Sequence, residues 1–69
     1  MLINSVETFL ARHAMTPTHF GRSAAQDPRL VSDLRGGRAP RPLLDQRLRG
    51  FMAGYELARK THPEDAHVR

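Results

Sequence analysis

The stretch Thr16–Arg38, TPTHFGRSAAQDPRLVSDLRGGR, decides the fold, because its spacing of capping, apolar and small residues describes two short helices crossing at a tight turn. Thr16 offers a side-chain oxygen to an orphan backbone N–H, and Pro17 follows where a missing N–H costs nothing, so a helix is expected to start there. Phe20 and Ala24 share a face, and Gly21 beside them lets a second helix approach closely. Asp27-Pro28 repeats the cap-and-proline signal and stops the first helix near Gln26, since a residue preceding proline is pushed out of the α region. In the second helix, expected over 28–35, Val31 and Leu34 face inward, and Gly36-Gly37 supply the terminus, where a left-handed residue is commonly needed.

On the N-terminal side, Asn4 and Glu7 read as a capping box, and Val6, Phe9, Leu10 and His13 recur at helical spacing. A helix from Asn4 to about Ala14 is expected. On the C-terminal side a fourth helix is expected from near Pro42, with Leu44, Leu48, Phe51, Met52 and Tyr55 on one stripe and Arg47, Arg49 and Glu56 on the wet side. Gly50 and Gly54 lower helix propensity there and point to close packing of another helix, internal or across a dimer. Leu2, Ile3 and Met15 read either as dimer surface or as completion of a small core. The polar residues 61–69, THPEDAHVR, have no periodicity and are expected to form a flexible tail. No alternating β-branched run argues a strand. The expected fold is all-α, a compact bundle of four helices forming one domain over residues 1–60.

With 69 residues the chain buries a small fraction of its surface, so stability depends on efficient packing or on a partner. The absence of cysteine excludes disulfide stapling, thiol catalysis and cysteine-ligated zinc, and fits a reducing cytoplasm. MLINSVETF lacks a basic region followed by a long apolar run, so no signal peptide is expected, and no stretch approaches a membrane span of about 20 apolar residues. The formal charge of +4 suggests an acidic partner. Arg22, Arg29, Arg35, Arg38, Arg41, Arg47 and Arg49 crowd the central motif, against Asp27, Asp33 and Asp45. A GC-rich genome accounts for ten arginines to one lysine, but not for that clustering.

The central pattern resembles the helix-turn-helix of the lambda-repressor-like family of bacterial and phage regulators, over roughly residues 4–56. Phe20 takes the family's apolar place in the first helix, Gly21 its small place, Ala24 the next buried place, and Val31 and Leu34 the buried places of the recognition helix. Gly37 falls on the family's glycine, and Arg38 with Pro40 resembles its basic and proline continuation. Two positions depart: Ala25 stands where the turn usually has glycine, and Gln26 where a buried apolar residue is usual.

The resemblance implies a sequence-specific regulator of transcription that binds double-stranded DNA in the cytoplasm, at the nucleoid. Its recognition helix, near residues 28–35, would lay its N-terminal part in the major groove. Pro28, Arg29, Ser32 and Asp33 are then the base-contact candidates, with Arg29 offering a planar fork to guanine O6 and N7. Pro28 and Leu30 are placed to touch thymine methyls. Asp33 either accepts from a cytosine amino group or orients Arg29 one turn away. Thr16, Thr18, Arg22, Arg35, Arg38 and Arg41 are the candidates for the DNA backbone, where the N-terminus of the Thr16 helix also offers N–H groups. Any one of these arginines is equally read as a solvated surface charge. A chain this small implies two copies on a palindromic site, or one copy beside RNA polymerase or another regulatory protein.

No cofactor, metal or enzymatic chemistry is expected. No nucleophile stands beside a base, and Gly36-Gly37 ends a helix rather than cradling a nucleotide. His13, His19, His62 and His67 lack metal-ligand spacing; His13 reads as a half-buried core-edge residue and His19 as a surface residue. Two other readings stay open. One is a protein-interaction module on the same fold, an antitoxin or regulatory adaptor meeting its partner through Gly50 and Gly54, with Asp27 and Asp33 offsetting Arg29 and Arg35. The other is non-specific nucleic-acid binding, RNA included, in which the arginines act without base readout; the demand of the core for Phe9, Phe20, Phe51 and Tyr55 argues against single-strand stacking.

Overall fold

The computed structural model describes residues 1–61, with side chains to Arg59, and these form four helices and no strand. They are α1 (Leu2–His13), α2 (Pro17–Ala25), α3 (Leu30–Arg35) and α4 (Pro42–Thr61). Thr61, the first residue of the expected flexible tail, belongs to α4; residues 62–69, with the rest of that tail and with His62 and His67, lie outside the described residues.

In α1 the Asn4–Glu7 capping box does not form. The helix starts at Leu2, and the amides of Asn4 and Ser5 already bond to the Met1 carbonyl at 3.1 and 3.3 Å. The reason is burial: Leu2, Val6, Phe9 and Leu10 make one apolar face, and drawing Leu2 into the core requires helix before Asn4. Glu7 is thereby free to pair with Arg35 on α3. The helix ends on Ala14 in the left-handed region (φ 50°), and the Met15 N–H returns to the Leu10 carbonyl at 3.0 Å.

Helix α2 begins as expected, with Thr16 Oγ1 accepting from the His19 amide at 3.1 Å and Pro17 at its first position. It ends on Gln26, also left-handed (φ 55°), and the Asp27 N–H reaches back to the Gly21 carbonyl at 3.0 Å. Gln26 is exposed, as suits its polar side chain, and the left-handed residue stands one place after Ala25. Gly21 is required by space: a Cβ there would lie 2.1 Å from the Asp27 carbonyl oxygen and 3.4 Å from Leu30 Cβ.

Helix α3 starts at Leu30, two residues later than the Asp27-Pro28 signal suggests. Asp27 to Leu30 instead make a turn, with Pro28 second, Arg29 at φ −96° and ψ 0°, and the Leu30 N–H on the Asp27 carbonyl at 3.1 Å. Asp27 Oδ1 accepts from the Arg29 N–H at 3.0 Å, so the aspartate does hold the helix entry. Leu30, Val31 and Leu34 are buried, which removes Leu30 from any contact with thymine. Gly37 (φ 101°) makes the terminal turn and returns the Arg38 N–H to the Asp33 carbonyl at 3.0 Å.

Helix α4 lays Leu48 and Met52 into the core, with Leu44, Phe51 and Tyr55 packed against it. Phe9 is the centre of an aromatic cluster, its ring 5.7 Å from Phe20, 6.2 Å from Phe51 and 5.3 Å from Tyr55. Leu2 belongs to the core and Ile3 and Met15 pack against it, so core completion accounts for them. The packing expected at Gly50 and Gly54 is absent within the described residues: nothing lies within 4 Å of a Cβ built at either. No helix is long and apolar enough to cross a membrane among the described residues.

Candidate nucleic-acid interface

With Leu30, Val31 and Leu34 committed to the core, the other residues of the α3 segment are left for solvent, and Pro28, Arg29, Ser32 and Asp33 are all exposed. The Asp33 N–H bonds to the Arg29 carbonyl at 2.9 Å, which puts these two residues one helical turn apart on the same outer face. Arg29 is held through its backbone by Asp27, leaving its guanidinium without a carboxylate partner among the described residues. The expected Asp33–Arg29 pairing is not made. Asp33 Oδ2 instead accepts from Arg38 Nη1 at 3.2 Å, and Asp27 Oδ2 lies 3.8 Å from the same nitrogen.

The arginines clustered in the sequence divide into two groups by partner. Arg35 grips Glu7 with two parallel bonds, Nε to Oε2 at 2.6 Å and Nη2 to Oε1 at 2.9 Å. Arg38 is held by Asp33 and Asp27, and Arg49 by Asp45 one turn back on α4. Arg47 is exposed, as expected, and also donates from Nε to the Ala24 carbonyl at 3.0 Å, satisfying one of the orphan acceptors at the end of α2. Arg22, Arg29 and Arg41 are exposed and make no ion pair with the described residues. Thr16 and Thr18 are exposed at the start of α2, with the Thr16 oxygen already used as the cap.

A second charged group was not legible in the sequence. Glu56 on α4 accepts from Arg12 Nη1 at 2.7 Å and lies 3.0 Å from His13 Nε2. The His13 ring is tucked beside Phe9 and Tyr55 at 4.6 and 4.9 Å, as a core-edge histidine should be, whereas His19 is exposed. The hydrogen bond with His13, then that from Arg12, holds the Glu56 carboxyl below the usual carboxylate range; the bond from Arg35 does the same for Glu7. An open groove of about 430 Å³ runs between α1 and α4, with Phe9 and Met52 among its lining and the Arg12–Glu56 pair on its rim. Arg49, which also lines it, is paired with Asp45, so each of the groove's two arginines already has a carboxylate partner.

Comparison with protein-family models, with curated proteins and with solved structures finds no match to this chain.

Proposed function

We propose that the chain is a sequence-specific double-stranded DNA-binding regulator of transcription, using α2 and α3 as a helix-turn-helix of the lambda-repressor-like kind. Arg29 carries the reading: its backbone is pinned at the entry of α3 while its guanidinium is exposed and unpaired among the described residues. A fixed Cα with an unengaged planar fork is what bidentate recognition of guanine requires. The Gly21 crossing, which sets α2 and the α3 entry in one rigid relation, supports it further. Pro28 and Ser32 flank Arg29 as further base-edge residues, and Arg22 and Arg41, with Thr16 and Thr18, are the backbone contacts. Arg35 serves the fold first, through Glu7. Occupancy of an operator or promoter, as two copies or beside RNA polymerase, would place the chain at the nucleoid.

The test is selection of bound duplexes from a random library at near-physiological salt, with the wild-type chain and with Arg29→Ala. A motif of a few base pairs is expected, with discrimination at one guanine reduced by about 1 to 3 kcal/mol in the variant. A uniform loss across all sequences would make Arg29 a phosphate contact and the chain a non-specific binder.

One observation favours a second reading, a protein-interaction module: α4 carries an open face with Gly50, Gly54 and the largely exposed Leu43. Salt separates the two. Phosphate binding through Arg22 and Arg41 implies a log–log salt slope near −1.8, at about 0.9 per phosphate, whereas an apolar interface is nearly insensitive.

A further inference from the structure

Arg38 is held where a DNA-binding surface would otherwise gain a cation. Its N–H is bonded to the Asp33 carbonyl across the Gly37 turn, and its guanidinium lies between the Asp33 and Asp27 carboxylates. All three side chains remain 39 to 45% exposed, so the pairing is open to exchange. Asp27 cannot leave without releasing the Arg29 N–H from its other oxygen. Asp33 has no second bond among the described residues and shares its outer face with Arg29.

Resting on the reading of α3 as the DNA-contacting helix, we infer that Asp33, with Arg38 as its counter-ion, is a specificity-determining residue that acts by exchange. Whatever Arg29 faces, Asp33 faces too. On an arbitrary duplex Arg38 stays with Asp33: moving to a phosphate would leave a bare carboxylate against a polyanion, a like-charge contact that cancels the gain. Where a cytosine amino group stands opposite Asp33, the carboxylate accepts from it, and that hydrogen bond offsets part of the cost of uncovering the charge, so Arg38 can move to a phosphate. One base pair thus controls both a base contact and a backbone contact. Of the two sequence readings of Asp33, the inference keeps cytosine as its partner on DNA and replaces Arg29 by Arg38 as its partner within the chain.

The experiment measures affinity of the full chain for a random-sequence duplex and for the duplex selected by wild type, over a salt series, for wild type, Asp33→Asn and Asp45→Asn. Asp45→Asn raises net charge equally and frees Arg49 on α4, away from α3. The expected result is that Asp33→Asn binds random duplex about tenfold more tightly, steepens the salt slope by about 0.9 through one further phosphate contact, and loses selectivity by a similar factor. Asp45→Asn should stay within about twofold of wild type. If the two variants shift together, net charge alone is at work and the exchange is overturned. If wild type binds duplex and Asp33→Asn leaves both affinities unchanged, the exchange is overturned while the DNA reading stands. Failure of wild type to bind any duplex would remove that reading and this inference with it.

Discussion

At Gly21 a single hydrogen atom decides how closely the Asp27 turn can lie on α2. A methyl group there would overlap a backbone carbonyl, which no side-chain rotation relieves. Gly21→Ala is therefore expected to cost about 3 kcal/mol or more, enough to unfold much of a chain this small; a denaturant midpoint equal to wild type would contradict the crossing. This position was legible in the sequence because a residue without a side chain lay beside Phe20 and within reach of Ala24. The left-handed residue of the turn was not. Glycine is the usual sign of such a backbone, and here Gln26 adopts it, a conformation a polar exposed residue tolerates at modest strain.

Among the elements, α2 follows its sequence signals closely because cap, proline and apolar stripe all agree, and α4 because its proline and apolar stripe do. Helices α1 and α3 deviate where a local signal meets a tertiary demand. Asn4 and Glu7 have the right spacing for a cap, but burying Leu2 contributes roughly 2 kcal/mol against about 1 for the cap, and the longer helix wins. Asp27-Pro28-Arg29 has the chemistry of both a helix start and a turn, and the burial of Leu30 against Gly21 favours the turn. On α4 the glycines have a measurable meaning. With open space at its Cβ position among the described residues, Gly54→Ala should stabilise the isolated chain by about 0.5 to 1 kcal/mol in thermal or urea unfolding. A loss of stability, or a fall in apparent mass at equal concentration, would instead reveal a second body packed on that face.

Across the whole molecule, the two glutamates of depressed pKa tie distant segments together: Glu7 joins α1 to α3, and Glu56 joins α4 to the end of α1. A lowered folded pKa means the stabilisation is complete above the unfolded value, about 4.3, and is lost as pH falls through the lower folded value. The thermal midpoint should thus drop as pH falls below the usual glutamate range, and the Glu7→Gln, Glu56→Gln double variant should show a shallower drop from a lower starting point. An acid limb as steep as wild type would remove these pairs from the account. Such pairs also mark the limit of reading a sequence for its site. The arginine cluster was visible, yet Arg35 takes its partner 28 residues away and Arg38 is claimed by two aspartates, so composition overstated the free positive charge.

The aromatic cluster where α1 meets α4 has a practical consequence. The chain contains one tyrosine and no tryptophan, and Tyr55 lies within that cluster, flanked by Phe9, His13 and Phe51 with the Arg59 guanidinium 5.6 Å above its ring. Tyrosine emission and near-ultraviolet dichroism of the unlabelled protein therefore come from one known spot, a native optical reporter of whether these two helices are docked.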